Sequence, residues 1–404
     1  MLLEGIKRIV AFLCAITAAM SGADNAVPPQ SEHVGFVKAL WVSTVHNIDY
    51  PTVRTADETV LMQEADVLLD NCLAWGINTV FLQVRPACDA IYKSQIYPWS
   101  VYLTGTHGAA PGNGFDALEY FVNGAHSRGM ELHAWINPYR VTSGGEDEYA
   151  LLSPASPAKT HPELLLKTAD GNYYFNPAFV EARELILDGI SEIVSNYDVD
   201  GIHFDDYFYP NSYYDDSAQF AISGKNDLAQ WRRDNVDALV SAAYKKVKSI
   251  RQSCEFGISP CGIWANKATN PLGSDTNGFS SYERIYADSR KWVEEGFVDY
   301  ICPQIYWNIG FESADYKHLC DWWSAVTSAA NVKLYIGLAA YKTGNPDYGS
   351  EWSDAEEIAR QRAFNASASS ISGESYFSYS SILKSERLQQ IIKNQDVLSH
   401  VPIL

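Results

Sequence analysis

The segment Gly201-Ile-His-Phe-Asp-Asp-Tyr-Phe-Tyr-Pro210 reads as a buried strand that runs directly into two acidic and three aromatic side chains. Just upstream, residues 180–195 carry apolar side chains at Ile186, Ile190, Ile193 and Val194, the spacing of an amphipathic helix, and an Asn196-Tyr197-Asp198 turn follows. Helix, turn, apolar strand and then acids make one unit of an α/β fold, in which ligands and catalytic groups collect at the carboxyl ends of strands. Carboxylates beside aromatic faces suit sugar chemistry, because acids act on the glycosidic bond while rings stack on the apolar faces of pyranoses.

The same alternation recurs along the chain. Candidate strands fall at 36–44, 78–86, 130–138, 200–205, 255–262, 298–307, 333–341 and 375–379. Helical patterns separate them at 57–75, 115–128, 180–195, 226–251, 282–295, 314–330, 354–368 and 382–393, with Gly76, Gly129 and Gly296 placed as left-handed caps. Eight βα units predict an α/β (β/α)8 TIM barrel. No Pro/Gly/Ser-rich linker interrupts it, so residues 24–404 are expected to form one domain, with 141–176 as its longest irregular stretch.

Strand periodicity sorts the side chains into two faces. Val80, Leu82 and Val84 alternate with Thr79, Phe81, Gln83 and Arg85; Phe256, Ile258 and Pro260 alternate with Gly257, Ser259 and Cys261; Ile301, Pro303 and Ile305 alternate with Tyr300, Cys302, Gln304 and Tyr306. The apolar face suits the helix layer, and the small or polar face suits a barrel interior that opens into a site. In the opening segment the same rule sends Ile202 and Phe204 outward and Gly201, His203 and Asp205 inward. Asp205 therefore leads as a catalytic acid, with Asp206 turning into the cleft if the strand ends there or capping a loop if it does not.

The remaining composition narrows the function classes. The chain has 49 acidic and 30 basic residues, a net charge of −19, and no Lys/Arg cluster interleaved with aromatics, so a nucleic-acid partner is not expected. Lys7 and Arg8 precede an apolar run from Ile9 to Met20 and the small residues Ser21-Gly22-Ala23, so residues 1–23 read as an export signal. The run is too short for a stable membrane span, and the mature chain is expected in the periplasm or outside the cell. Six cysteines would remain, Cys72, Cys88, Cys254, Cys261, Cys302 and Cys320. None has the CxxC spacing of a zinc site, and buried free thiols are the expected state; neither a metal nor a cofactor is expected.

Hydrolysis of a glycosidic bond ordinarily takes two carboxyl groups. Asp205 and Asp206 supply acids at the fourth strand, but the fifth and seventh strand ends supply none. Partner acids are sought in Asp49, Asp89 and Glu312, with turn formation competing at Asp49 and an ion pair with Arg85 competing at Asp89. Alternatively an N-acetyl group on the substrate acts as nucleophile, and the enzyme needs only one acid and a group that orients the acetamide. Candidate substrate-binding residues are Arg85, Asp89, Asn137, Tyr139, Arg140, His203, Tyr207, Gln304, Tyr306 and Trp307, with Trp264 and Tyr341 placed only by strand ends. Loop-ordering salt bridges compete at Arg85 and Arg140, and a hydrogen-bonded core position competes at His203.

The segments ALWVSTVHNIDYPT (39–52), QVRPACDAIYK (83–93), PWSVYLTGT (98–106), LHAWINPYRV (132–141), DGIHFDDYFYPN (200–211) and YICPQIYWNI (300–309) resemble the glycosyl-hydrolase-like 10 family. The resemblance covers almost the whole mature chain. It implies an exported bacterial TIM-barrel glycosidase with a polysaccharide substrate, and some relatives act on peptidoglycan glycan strands stripped of peptides. DGIHFDDY is also loosely similar to the DGxDxDxE of chitinase-type barrels, but His203 replaces an Asp and Tyr207 stands where that acid would be. A glycosidase acting on neutral α-glucan and a non-catalytic polysaccharide-binding barrel are the alternatives.

Overall fold

The computed structural model describes residues 35–394. Eight parallel strands close on themselves: β1 (Val37–Val42), β2 (Thr79–Arg85), β3 (Glu131–Ile136), β4 (Gly201–Phe204), β5 (Glu255–Ile258), β6 (Tyr300–Ile301), β7 (Lys333–Leu338) and β8 (Gly373–Tyr376). Each strand pairs with its neighbour in sequence, and β8 returns to β1 with Val37 opposite Gly373. This is the expected (β/α)8 barrel, and from Val37 onward the described residues form one unit. The expected export signal, residues 24–34 and residues 395–404 lie outside the described residues.

Helices α1 (Glu58–Trp75), α2 (Ala117–Ser127), α3 (Val180–Asn196), α4 (Leu228–Ile250), α5 (Ser289–Glu294), α6 (Tyr316–Ala330), α7 (Glu356–Ser367) and α8 (Glu386–Lys393) connect the strands. Their starts follow capping chemistry. Asp57, Asp116, Asp227 and Asp315 each accept a backbone N–H of the first turn of α1, α2, α4 and α6, at 2.9 to 3.1 Å. Gly76, Gly129 and Gly296 lie just past α1, α2 and α5 at φ 76°, 72° and 66°, as the sequence predicts. No helix among the described residues is long and apolar enough to cross a membrane.

Inside the barrel, Val37, Ala39, Trp41, Phe81, Trp135, Tyr300, Cys302 and Tyr335 form one buried cluster. These rings fit because glycines face them. A Cβ at position 257 would lie 2.1 Å from the Tyr300 ring, and one at 201 would lie 2.4 Å from the His133 ring. Ile202 and Phe204 are buried on the outer face, where Phe204 meets Phe256 edge-on at 5.0 Å.

Several elements differ from their sequence reading. The strands expected at 255–262 and 298–307 are shorter because Pro260 and Pro303 lack an N–H for the ladder. Pairing nevertheless continues through their carbonyls, with Gln304 N donating to Pro260 O and Gly337 N to Pro303 O. The helix expected at 282–295 breaks at Tyr286, which adopts φ 55°, and α5 restarts under an Asp288 cap. The helix expected at 382–393 likewise splits, with Ser385 capping α8. The irregular stretch 141–176 contains helices Gly145–Ala150 and Pro157–Thr160 and an antiparallel ribbon of Leu165–Lys167 with Tyr173–Phe175. All six described cysteines are free thiols; five are buried and Cys261 is half-buried.

Candidate active site

At the carboxyl end of β4, Asp205 still belongs to the ladder, its N–H reaching Ile136 O, so its side chain keeps the inward phase of His203. Its carboxyl is 7% exposed and accepts three hydrogen bonds. Asn137 Nδ2 donates to Oδ2 at 3.0 Å, while the Asp206 N–H and Gln304 Nε2 donate to Oδ1 at 2.8 and 3.3 Å. Asp206 is the opposite case. Burial, and then the Asp205 carboxyl beside it, push the Asp206 carboxyl well above the usual carboxylate range. Two adjacent acids thus sit in different environments: one is held as a hydrogen-bond acceptor, and the other has its pKa raised.

The orientation of Asp205 can be traced back to backbone. Thr44 N and Val45 N donate to Gln83 Oε1 at 3.0 and 2.9 Å, so that atom must be the amide oxygen. Gln83 Nε2 therefore donates to Asn137 Oδ1 at 2.6 Å, which leaves Asn137 Nδ2 to face Asp205. The loop after β1, the end of β2 and the end of β3 together set one carboxylate at β4.

The cleft has two lobes. The first encloses about 390 Å³ and is lined by Asp205, Trp41, Trp135, Arg140, Tyr306 and Tyr341, among others. The second, of about 490 Å³, is lined by Asp206 with Tyr174, Tyr209, Asn211 and Phe279. Tyr207 and Gln304 belong to both. Tyr207 is 48% exposed and forms the rim between the lobes. The charges of Asp205 and Asp206, and then burial, push its phenol up, while burial does the same to Tyr306; both hydroxyls remain donors at neutral pH. Among the described residues, no group of three or more His, Cys, Asp or Glu side chains is arranged to hold a metal ion.

Of the residues singled out in the sequence, Asp205, Asp206, Arg140, Tyr207, Gln304, Tyr306 and Tyr341 come together in the cleft, and Asn137 supports them from behind. His203 lies beneath it. Trp41 Nε1 can only donate, so His203 Nε2 accepts at 3.1 Å and Nδ1 faces Tyr300 Oη at 2.9 Å. Burial, and then nearby His133, hold its pKa well below the ordinary histidine value, so it is a neutral core group that fixes the Trp41 indole. Arg85 leaves the alternation at a β-bulge between Gln83 and Arg85, and its buried guanidinium stacks 3.8 Å over the Tyr97 ring, away from the cleft lining. It forms no ion pair with Asp89, whose Oδ1 instead accepts the Ala87 N–H at 3.1 Å. Tyr139 is fully buried and its carbonyl accepts the Phe175 N–H. Trp307 offers its carbonyl to Gln361, and Trp264 is tied to Asp288; neither lines the cleft.

The sought partner acids lie elsewhere too. Asp49 accepts the N–H groups of Ser43 and Ser380 and the Ser378 hydroxyl, joining the ends of β1 and β8. Glu312 is exposed and outside both lobes. Asp170, not singled out from sequence, lines the second lobe, but its carboxylate is held ionised by Thr168 and Asn172 of its own turn. Trp41, Gln83, Trp135, Ser259 and Phe377 were also missed, although inward phase near a strand's end marks each of them.

Comparison with known proteins agrees with the barrel. Residues 36–354 match the sequence profile of the family described as glycosyl hydrolase-like 10. The glycosyl hydrolase YngK of Bacillus subtilis (strain 168) is 42% identical over 387 residues, covering 94% of this chain and 75% of YngK. The glycosyl hydrolase DigH of Escherichia coli (strain K12) is 38% identical over 360 residues, covering 83% of this chain and 81% of DigH. The glycoside hydrolase domain of PgaB (BpsB) from Bordetella bronchiseptica superposes with a TM-score of 0.58 at 13% identity, over 91% of this chain and 100% of that one, a likeness of fold alone.

Proposed function

Because this chain belongs to the glycosyl hydrolase-like 10 family and is a glycoside hydrolase, we propose that it is exported and cleaves N-acetylated glycan strands of the bacterial wall with help from the substrate's own acetamide. The supporting observation is the division of Asp205 and Asp206 between two adjoining lobes, with the Asp206 carboxyl pushed well above the usual carboxylate range by burial and by its neighbour. A sugar in the first lobe places its acetamide beside Asp205, which accepts the acetamide N–H and turns the carbonyl oxygen toward the anomeric carbon. The next sugar occupies the second lobe, so the bond between them lies near Asp206. Asp206 gives its proton to the departing glycosidic oxygen as the acetamide oxygen closes on the anomeric carbon. Asp206, now a carboxylate, then takes a proton from the water that opens the ring intermediate. Tyr306 and Gln304 are donors placed to orient the acetamide, and the Trp41 and Trp135 rings offer apolar faces to the sugar.

Among the described residues no second carboxylate lines the Asp205 lobe, which favours this route over one with an enzymic nucleophile. Export rests on the charged and apolar pattern of residues 1–23. Release of reducing ends from peptide-free wall glycan, measured beside a starch-type polymer, tests the reading. Turnover of the wall glycan should fall by about 100- to 10,000-fold in both Asp205→Asn and Asp206→Asn. Undiminished turnover in both variants, or cleavage of the starch-type polymer alone, would overturn it.

A further inference from the structure

Arg140 stands out in the Asp205 lobe as a cation without an anion. It is 8% exposed, and its Nη2 is buried with no hydrogen-bond partner. Its Nε donates to Pro86 O at 2.7 Å, and the guanidinium lies 5.1 Å from the Tyr207 ring centroid, so the group is held in place while part of its fork faces the cavity. Among the described residues no carboxylate forms an ion pair with it. An unpaired buried guanidinium is costly, all the more noteworthy in a chain of net charge −19 where acids are plentiful.

We propose that Arg140 is a specificity-determining residue that binds a carboxylate carried by the same sugar whose acetamide meets Asp205. This rests on the wall-glycan reading above and narrows it. In such a strand the sugar bearing both groups, on neighbouring ring carbons, is N-acetylmuramic acid whose lactyl carboxylate is free of peptide. A peptide amide at that carboxyl removes the charge and adds bulk where the guanidinium waits. Arg140 thus selects stripped strands, and the bond cleaved is the one on the anomeric carbon of the acidic sugar. A guanidinium fork suits this task because it can meet both carboxylate oxygens.

The test compares peptide-free wall strands with the same strands after carbodiimide coupling of their carboxylates to methylamine, using wild type, Arg140→Gln and Arg140→Lys. Wild type should favour the free carboxylate by about ten- to a hundred-fold in kcat/KM, mostly through KM. Arg140→Gln should bring that ratio close to one, Arg140→Lys should keep part of it, and rising salt should raise KM only for the charged strand. Fragments from wild type should end in the acidic sugar at their reducing ends. Equal wild-type rates on the two strands, or an Arg140→Gln loss of the same size on both, would overturn the role of Arg140 while leaving the wall-glycan reading in place. Turnover of neither strand would remove that reading and this inference together.

Discussion

Asp205 and Asp206 are adjacent in sequence but differ in surroundings: Asp205 accepts three hydrogen bonds, whereas burial and then the Asp205 carboxyl raise the pKa of Asp206. The strand period distinguishes them, since Asp205 keeps the inward phase of β4 while Asp206 begins the loop. The raised pKa of Asp206 was not legible in the sequence, because it depends on burial and on the carboxyl packed beside it. It has two consequences with defined signs. Activity should fall as pH rises through the raised pKa of Asp206, because the general acid is lost, and Asp206→Asn should remove that limb along with most of the turnover. Stability should move the same way. The folded-state pKa lies above the ordinary value of 3.8, so the folded state holds its proton longer, and the stability this contributes at low pH is lost as pH rises through the folded pKa. Melting curves of wild type and Asp206→Asn should therefore separate in the variant's favour at neutral pH and converge toward acid pH; a variant less stable than wild type at neutral pH would contradict this account. His203 shows the opposite lesson. Its position beside the acids suggested substrate contact, but its tautomer is already fixed by Trp41 on one side and Tyr300 on the other.

At the scale of elements, inward phase was readable wherever a strand ran without interruption, and it failed where the backbone changed phase. The bulge after Gln83 turns Arg85 out of the alternation, and a bulge has no unambiguous sequence mark. The same phase places Gln83, whose amide links the loop after β1 to Asn137 and hence to Asp205. Gln83→Leu should cost about 1–3 kcal/mol by leaving the N–H groups of Thr44 and Val45 without their acceptor, and should lower kcat by slackening Asp205; chemical denaturation and initial rates read the two effects separately. Gly257 carries the complementary constraint, since the Tyr300 ring occupies the space a methyl would need. Gly257→Ala should destabilise the barrel by about 1–3 kcal/mol, and a neutral effect in a melting experiment would mean the interior is less tightly filled than described. Pro260 and Pro303 were visible in sequence, but their effect is modest, because a carbonyl can serve the ladder where an N–H is absent.

For the molecule as a whole, the repeated βα order made the eight-stranded barrel legible before any coordinates, since closure needs only the count and the parallel sense of its strands. The site was partly legible: strand ends named Asp205, Arg140, Tyr207, Gln304 and Tyr306, but the two-lobed cleft depends on the loops after β3, β4 and β5, whose paths follow from tertiary contacts such as Ala169 N to Tyr213 O. The ribbon within 141–176 is the clearest case, because its short strands pair locally and line the second lobe through Tyr174. In the proposed function the barrel presents Asp205 and Asp206 to a bond that spans the two lobes, and the substrate supplies the nucleophile. The most direct measurement is the anomeric configuration of the first product, followed by NMR during cleavage of a defined N-acetylated glycan strand. Participation by the acetamide inverts the anomeric carbon twice and predicts a product that initially retains the configuration of the bond cleaved. A product formed with inverted configuration would mean that water attacks directly, and would contradict the account.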